Sequence, residues 1–222
     1  MSEPSAAISR GPSREETIIE WFQRHGRRLT ITAVVLAVGA GAYWFYARSV
    51  DIKNENAERA LNTALQSVQA GNKALAASDL QKVVDRFGDT QSGIEAGLLL
   101  AQLDFNDAKV PEGLKLLDRL AATDAAKMEL ASIYSLMGDG QMQATKPADA
   151  AKSYQKAADA ARSDADKAFQ QSKAARALLA AGDTASATAI WQKLADDAKD
   201  QGVSAEAKVR LGEVEAKPAS KG

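Results

Sequence analysis

The feature that most limits how this 222-residue chain can fold is a repeat. Units starting at residues 57, 94, 131 and 168 place the same residue types in register four times, 37 residues apart. The eighth position is small in every unit: Ala64, Ala101, Gly138 and Ala175. The twentieth is small as well: Ala76, Gly113, Ala150 and Ala187. The twenty-fourth is large (Leu80, Leu117, Tyr154, Trp191), and the twenty-seventh is Val83, Leu120, Ala157 or Leu194. Position 12 reads Val68, Phe105, Met142 and Leu179.

Spacing assigns these residues their work. Positions 8 and 12 lie one turn apart on a first helix, and positions 20, 24 and 27 form a stripe on a second. Small residues let the paired helices approach, and the large residue at position 24 fills the space beside them. Gly71-Asn72 and Gly182-Asp183 mark the turn between helices, while Pro111 and Pro147 stand early in two second helices. One helix pair cannot bury both of its faces alone, so the units must stack. The pattern predicts an all-α fold: a solenoid of about four helix pairs over residues 57–204. Residues 203–215, with Val203, Val209, Leu211 and Val214, read as a capping helix and Lys217-Pro218-Ala219-Ser220 as a free tail, so that 205–222 lies beyond the repeats.

Composition suits that reading and excludes several chemistries. About a fifth of the chain is alanine, and Leu, Gln, Glu and Lys are abundant, all good helix formers. Zero Cys removes disulfides, thiolate metal sites and thiol nucleophiles. A single His leaves no multi-histidine metal site. A net charge of −1 offers no overall basic footprint for nucleic acid.

Ahead of the repeat, residues 29–46 (LTITAVVLAVGAGAYWFY) carry no charge, and Ala47 extends the run to Arg48. At about 1.5 Å per residue this spans roughly 27–28 Å, enough for a bilayer's hydrocarbon core. The run is apolar all round and ends in Tyr43, Trp44 and Tyr46, aromatic residues suited to a membrane–water interface. Residues 29–47 are therefore read as one transmembrane helix, followed by a linker over 48–56. Glu3, Glu15, Glu16 and Glu20 precede it, which a cleaved signal's basic n-region rarely tolerates, so it reads as an uncleaved signal anchor. Arg27 and Arg28 abut the run, and with Arg14 and Arg24 they outnumber Arg48, Lys53 and Arg59 beyond it. This bias predicts a cytoplasmic N-terminus and an exported repeat domain of about 170 residues.

Residues 1–28 form a cytoplasmic segment. Ser13-x-x-Glu16 is a capping box for a short helix that carries Trp21 and Phe22 ahead of the arginines. That helix reads equally as an amphipathic element on anionic lipid, with a bend at Gly26, or as the cytoplasmic end of the membrane helix. His25 sits among arginines as a solvated interface residue.

Gly138, Ala150, Tyr154 and Ala157, with Ala187 and Trp191 in the next unit, fall on signature positions of the tetratricopeptide repeat, which the chain resembles over about 57–204. It departs in its 37-residue period, in lacking Trp at position 4 (Ala60, Gly97, Tyr134, Gln171) and in lacking Tyr at position 11. No peptide-binding residue is carried over from that family. The order Trp21-Phe22-x-x-x-Gly26-Arg27-Arg28-Leu29, apolar span, Trp44-x-Tyr46, helical repeat is similar to the bacterial ancillary Sec-translocon tetratricopeptide family. That resemblance implies a single-pass, periplasm-facing inner-membrane protein that joins membrane complexes and helps exported clients meet chaperones.

No constellation for chemistry stands out. Asp196-Asp197 and Asp159 with Asp164 and Asp166 lie beside lysines as solvated charge, whereas acid/base pairs need burial to separate their pKa values. Gly138-Asp139-Gly140 lacks the spacing of a phosphate cradle or a calcium loop. Met128, Met137 and Met142 read as core filling, and Ala37-x-x-x-Gly41 as a weak helix-contact motif. The chain is thus expected to be a non-enzymatic scaffold without a cofactor. Its expected partners are the bilayer and the proteins of a multi-subunit membrane complex, with no nucleic acid or small-molecule substrate.

Overall fold

The computed structural model describes residues 14–196 and 201–216, with side chains from residue 26 onward. The chain divides into two compact units, Met1–Ile52 and Lys53–Gly222. Among the described residues all regular structure is helical.

The first helix, α1 (Arg14–Gln69), is continuous over 56 residues. It continues through Gly26 without interruption, and Thr30 Oγ1 donates to the Gly26 carbonyl at 2.8 Å. Residues 48–56, read as a linker, are helical too. The stretch Arg48 to Ala57 has no Pro or Gly, and Arg59 pairs with Glu55 one turn back at 3.1 Å. The capping box at Ser13, the side chains of Trp21, Phe22 and His25, and the tail after Ala216 lie outside the described residues.

In the second unit the end of α1 pairs with α2 (Lys73–Phe87), α3 (Gln91–Asn106) with α4 (Val110–Ala121), α5 (Leu130–Gln143) with α6 (Pro147–Ala160), and α7 (Asp164–Ala180) with α8 (Thr184–Asp196). A 3-10 turn, Asp124–Met128, connects the second pair to the third, and α9 (Gln201–Ala216) packs on α8 and α7. Among the described residues, four helix pairs and a last helix form the stack. Pro stands at the start of α4 and α6, where the missing N–H costs nothing. Asn72, Thr90 and Ser163 cap α2, α3 and α7 by accepting from backbone N–H groups.

One feature of the turns recurs at the full period. The first helix of each pair ends on a left-handed residue: Gly71 (φ 72°), Ala108 (61°), Thr145 (55°) and Gly182 (86°). In three units the next N–H reaches back five residues: Lys109 to Asp104 O (2.7 Å), Lys146 to Gln141 O (2.8 Å) and Asp183 to Leu178 O (2.9 Å). This closes the helix in the Schellman manner. Glycine marks only the outer two turns; Ala108 and Thr145 adopt the same conformation at a steric cost.

Aromatic rings from neighbouring helices fill the space over the interior glycines of α4 and α5. A Cβ on Gly138 would strike the Tyr154 ring, and one on Gly140 the Phe105 ring. One on Gly113 would come within 2.6 Å of Phe105 Cε1, so the Phe105 ring lies against glycine backbone from α4 and from α5.

Candidate functional site

In the first unit, the apolar run lies along the face of a helix that nothing in the structure covers. Ile31, Val34, Val35, Leu36 and Val38 are 56–67% exposed. Tyr43, Trp44, Phe45 and Tyr46 are at least 67% exposed, and Arg27 and Arg28 are exposed at the other end. Within Gly26–Gln69 an 18-residue window has a mean hydropathy of 1.6 with none of it buried. A contiguous apolar surface of this kind is a place where something else belongs.

In the second unit, the repeat residues at positions 8, 20, 24 and 27 are inside. Ala64, Leu80, Ala101, Leu117, Gly138, Ala150, Tyr154, Ala157, Ala187 and Trp191 are buried. Position 12 behaves differently along the chain. Phe105 is buried, Val68 and Met142 are half-buried, and Leu179 is exposed while its neighbour Leu178 turns to the core. Of the methionines read as core filling, Met137 is buried, but Met128 is exposed because it ends the 3-10 turn instead of entering α5.

A groove of about 410 Å³ lies along α5 and α7, lined by the polar residues Ser132, Ser135, Asp139, Arg162, Asp166 and Gln170 and by the apolar Met128, Ala131, Leu136 and Ala161. Beneath it Lys173 is held on three sides. Its Nζ lies 2.7 Å from Asp139 Oδ1 and donates to Ser135 Oγ at 3.0 Å. It also stands 4.6 Å over the centroid of the Tyr154 ring. The Tyr154 hydroxyl donates to the same Asp139 oxygen at 2.6 Å. Burial, and then this bond to a carboxylate, push the Tyr154 phenol far above its ordinary value, so it stays a protonated donor at any physiological pH. These contacts tie α5, α6 and α7 together. The Oε1 of Gln170 is buried and accepts from no described group. Such a groove can hold a polar segment by hydrogen bonds; no metal-holding group of three or more His, Cys, Asp or Glu occurs among the described residues.

Sequence reasoning placed Tyr154 and missed its partners Asp139 and Lys173, and Ser135 on which Lys173 rests. One signal was available: position 5 is Leu61 and Leu98 in the first units but Ser135 and Ser172 in the last two, an apolar-to-polar change on a packed face.

The tetratricopeptide repeat-like domain model matches residues 20–136, more than half of the chain. The chain belongs to the tetratricopeptide repeat-like family. Its match begins ahead of the apolar run and ends within α5. No curated protein matches the sequence. Among solved structures, a Podosopora anserina kinesin light chain with nearly identical tetratricopeptide-like repeats is 16% identical. The alignment covers 71% of this chain and 84% of that one, with a TM-score of 0.56. MamA is also 16% identical over 71% of this chain and 81% of its own, with a TM-score of 0.53. At these identities the likeness establishes the fold alone. A tetratricopeptide repeat-like stack is an extended protein-binding surface, and its members are typically interaction scaffolds.

Proposed function

We propose that the protein is a membrane-anchored scaffold, fixed by a single crossing of the bacterial inner membrane at residues 29–47. Its N-terminus is cytoplasmic and its tetratricopeptide repeat-like domain is periplasmic, where it binds and stabilises or assists a larger membrane protein complex. The observation that carries this reading is the uncovered apolar run, with Ile31 to Val38 exposed and arginines and aromatics at its two ends. Burying such a side chain is worth about 1.5–3 kcal/mol, so an aqueous setting for the whole run is strongly disfavoured. The excess of basic residues ahead of the run, Arg14, Arg24, Arg27 and Arg28 against Arg48, Lys53 and Arg59 beyond it, supports the orientation.

Fractionation and protease accessibility test it. The chain should resist alkaline extraction from membranes, and the repeat domain should be cut only when the periplasmic side is opened. Release by alkali, or cleavage from the cytoplasmic side, sinks the reading. A second version, a dynamic accessory of the export translocon and its chaperones, is supported by the order Trp21-Phe22, Gly26-Arg27-Arg28-Leu29, apolar span, Trp44-x-Tyr46 and helical repeat. Co-purification in mild detergent separates the two: a fixed stoichiometry with one large complex excludes the transient accessory.

A further inference from the structure

The repeat register carries charge as well as packing. Position 26 is Lys82, Arg119, Lys156 and Lys193, the one position of the unit that is charged in all four repeats. Position 22, one turn earlier, adds Lys115 and Lys152 and holds no acidic residue. All six side chains stand on the second helices of their pairs, and all six are exposed. Lys and Arg make up only 28 of 222 residues, so chance rarely sets four of them in one register.

The fold does not account for this row. Lys115 with Arg119, and Lys152 with Lys156, are like charges one turn apart, an arrangement that destabilises a free helix. Helix dipoles favour a base in the last turn, which covers Arg119 and Lys193 but not the other four. Among the described residues, Lys115, Arg119, Lys156 and Lys193 form no ion pair. Lys82 and Lys152 pair only within their own helices, with Asp79 at 2.9 Å and Asp149 at 3.5 Å. Other acidic residues of these helices are engaged elsewhere. Position 29 carries Asp85, Asp159 and Asp196, and Gln81 and Gln155 donate to the first two at 2.7 and 3.0 Å. Glu112 and Asp149 stand in the first turns of α4 and α6, at the other end of those helices.

We propose that this row receives an extended acidic segment of a partner protein, laid across α2, α4, α6 and α8 with its carboxylates bridging the basic side chains. The width of the row decides the class of partner. It is one or two residues wide on each helix, and Asp85, Asp159 and Asp196 are exposed beside it. A broad anionic surface such as a bilayer would press on those aspartates as well, whereas a single strand follows the row and leaves them in water. Clefts of about 240 Å³ beside Arg119 and about 200 Å³ beside Lys82 and Arg86 give its side chains room. The inference rests on the scaffold reading for one point only, that the anionic chain is protein.

The test uses the full chain in nanodiscs of zwitterionic lipid and, as probe, a fluorescently labelled oligoglutamate peptide. The expected result is saturable binding that weakens with added salt and falls about tenfold or more in the double variant Arg119→Glu, Lys156→Glu. The same charge change off the row, Lys127→Glu with Lys208→Glu, should leave binding nearly unchanged. The row variant turns two like-charge pairs into opposite ones, so its melting temperature should not fall, which separates lost docking from lost folding. No saturable binding, or equal losses in the two double variants, overturns the proposal. Row-dependent capture of the nanodiscs by phosphatidylglycerol vesicles, without binding of the peptide, also overturns it by making the occupant a lipid surface. Partners crosslinked in native membranes equally by the wild-type chain and the row variant sink this inference and leave the scaffold reading standing. No partners recovered by either sinks the scaffold reading itself.

Discussion

The first two repeat units and the last two share a register but fill it differently. From α1 into α5, Leu61, Leu80, Val83, Ile94, Leu100, Phe105, Leu117, Leu120 and Ile133 form one continuous apolar cluster. Beyond it the interior splits. Ala150, Ala151, Ala174 and Ala177 gather around Tyr154, and Ala168, Ala175, Ala187, Ala195 and Ala207 around Trp191 with Leu194. Residues 151–200 contain 17 alanines against 8 in residues 51–100. Burial in the first half is thus shared among many medium-sized side chains, whereas in the second it is concentrated in one aromatic per unit set in a lattice of alanine. The family match ends at residue 136, close to where the filling changes.

That contrast is open to direct attack. Trp191 is fully buried, so Trp191→Ala should cost about 3–5 kcal/mol and make the last two units unfold before the first two. Hydrogen exchange resolved along the chain would show it; simultaneous loss of protection from α2 to α9 would mean the two halves are not energetically distinct. Trp191→Phe is the gentler companion. The indole Nε1 has no described acceptor, so this change removes an orphan donor and should cost less than about 1.5 kcal/mol.

Gly138→Ala comes next. Its methyl must displace the Tyr154 ring, which Asp139 and Lys173 hold in place, for an expected loss of about 1–3 kcal/mol in chemical denaturation. The matched change Gly212→Ala, inside α9 with open space above it, should instead raise stability by about 0.5–1 kcal/mol, the helix-propensity gain of Ala over Gly. Equal effects would show that the eighth position does not set how closely the helices pack.

Smaller again is the turn. Thr145 holds φ 55°, a conformation that a β-branched residue adopts only under strain, so Thr145→Gly should raise stability by up to about 1 kcal/mol. Gly71→Ala, at φ 72°, should lower it by a similar amount. The opposite signs at equivalent positions make the pair a check on the 37-residue turn by melting temperature.

The smallest effect is electrostatic. Burial pushes the Asp104 carboxyl above its ordinary value, chiefly by desolvation. Its charged form therefore penalises the fold: the penalty is absent below the unfolded pKa and is fully developed above the folded one. Asp104→Asn should stabilise the protein at neutral pH, and the gain should vanish below about pH 4. Asp79 has the reverse sign. Its bonds to Lys82 and then Ser67 hold it below its ordinary value, so its contribution is present at neutral pH and is lost as pH falls through the folded pKa. A urea titration across pH 3 to 7 distinguishes the two.

Much of the fold was legible because helical stacking obeys a short rule. A small residue, a large residue one turn on, and their recurrence every 37 residues specify a helix pair and its neighbours without any knowledge of loops. The same rule misled at Leu179, since a hydrophobic residue at the right spacing can be outcompeted by its neighbour, and Leu178 reached the core first. Met128 failed for a related reason: its surroundings are a 3-10 turn, and 3.6-residue periodicity does not hold there. The groove over α5 and α7 was not legible, because Ser135, Asp139 and Lys173 are ordinary surface residue types until two units are stacked.

Periodicity and composition alone established an all-helical stack, its four pairs and its 37-residue step, because local spacing decides which side of a helix is apolar. They also located the uncharged run, since a continuous stretch without charge needs no partner to be recognised. Only the tertiary structure decided which polar residues meet across units, that Ala108 and Thr145 take the left-handed turn without glycine, and that α1 runs on without a break. It alone revealed that a stripe of α9 through Val209 and Gly212 lies open. The meeting of Ser135 with Lys173 joins residues 38 apart, and the open stripe is space left empty; neither is encoded in the neighbours of any single residue.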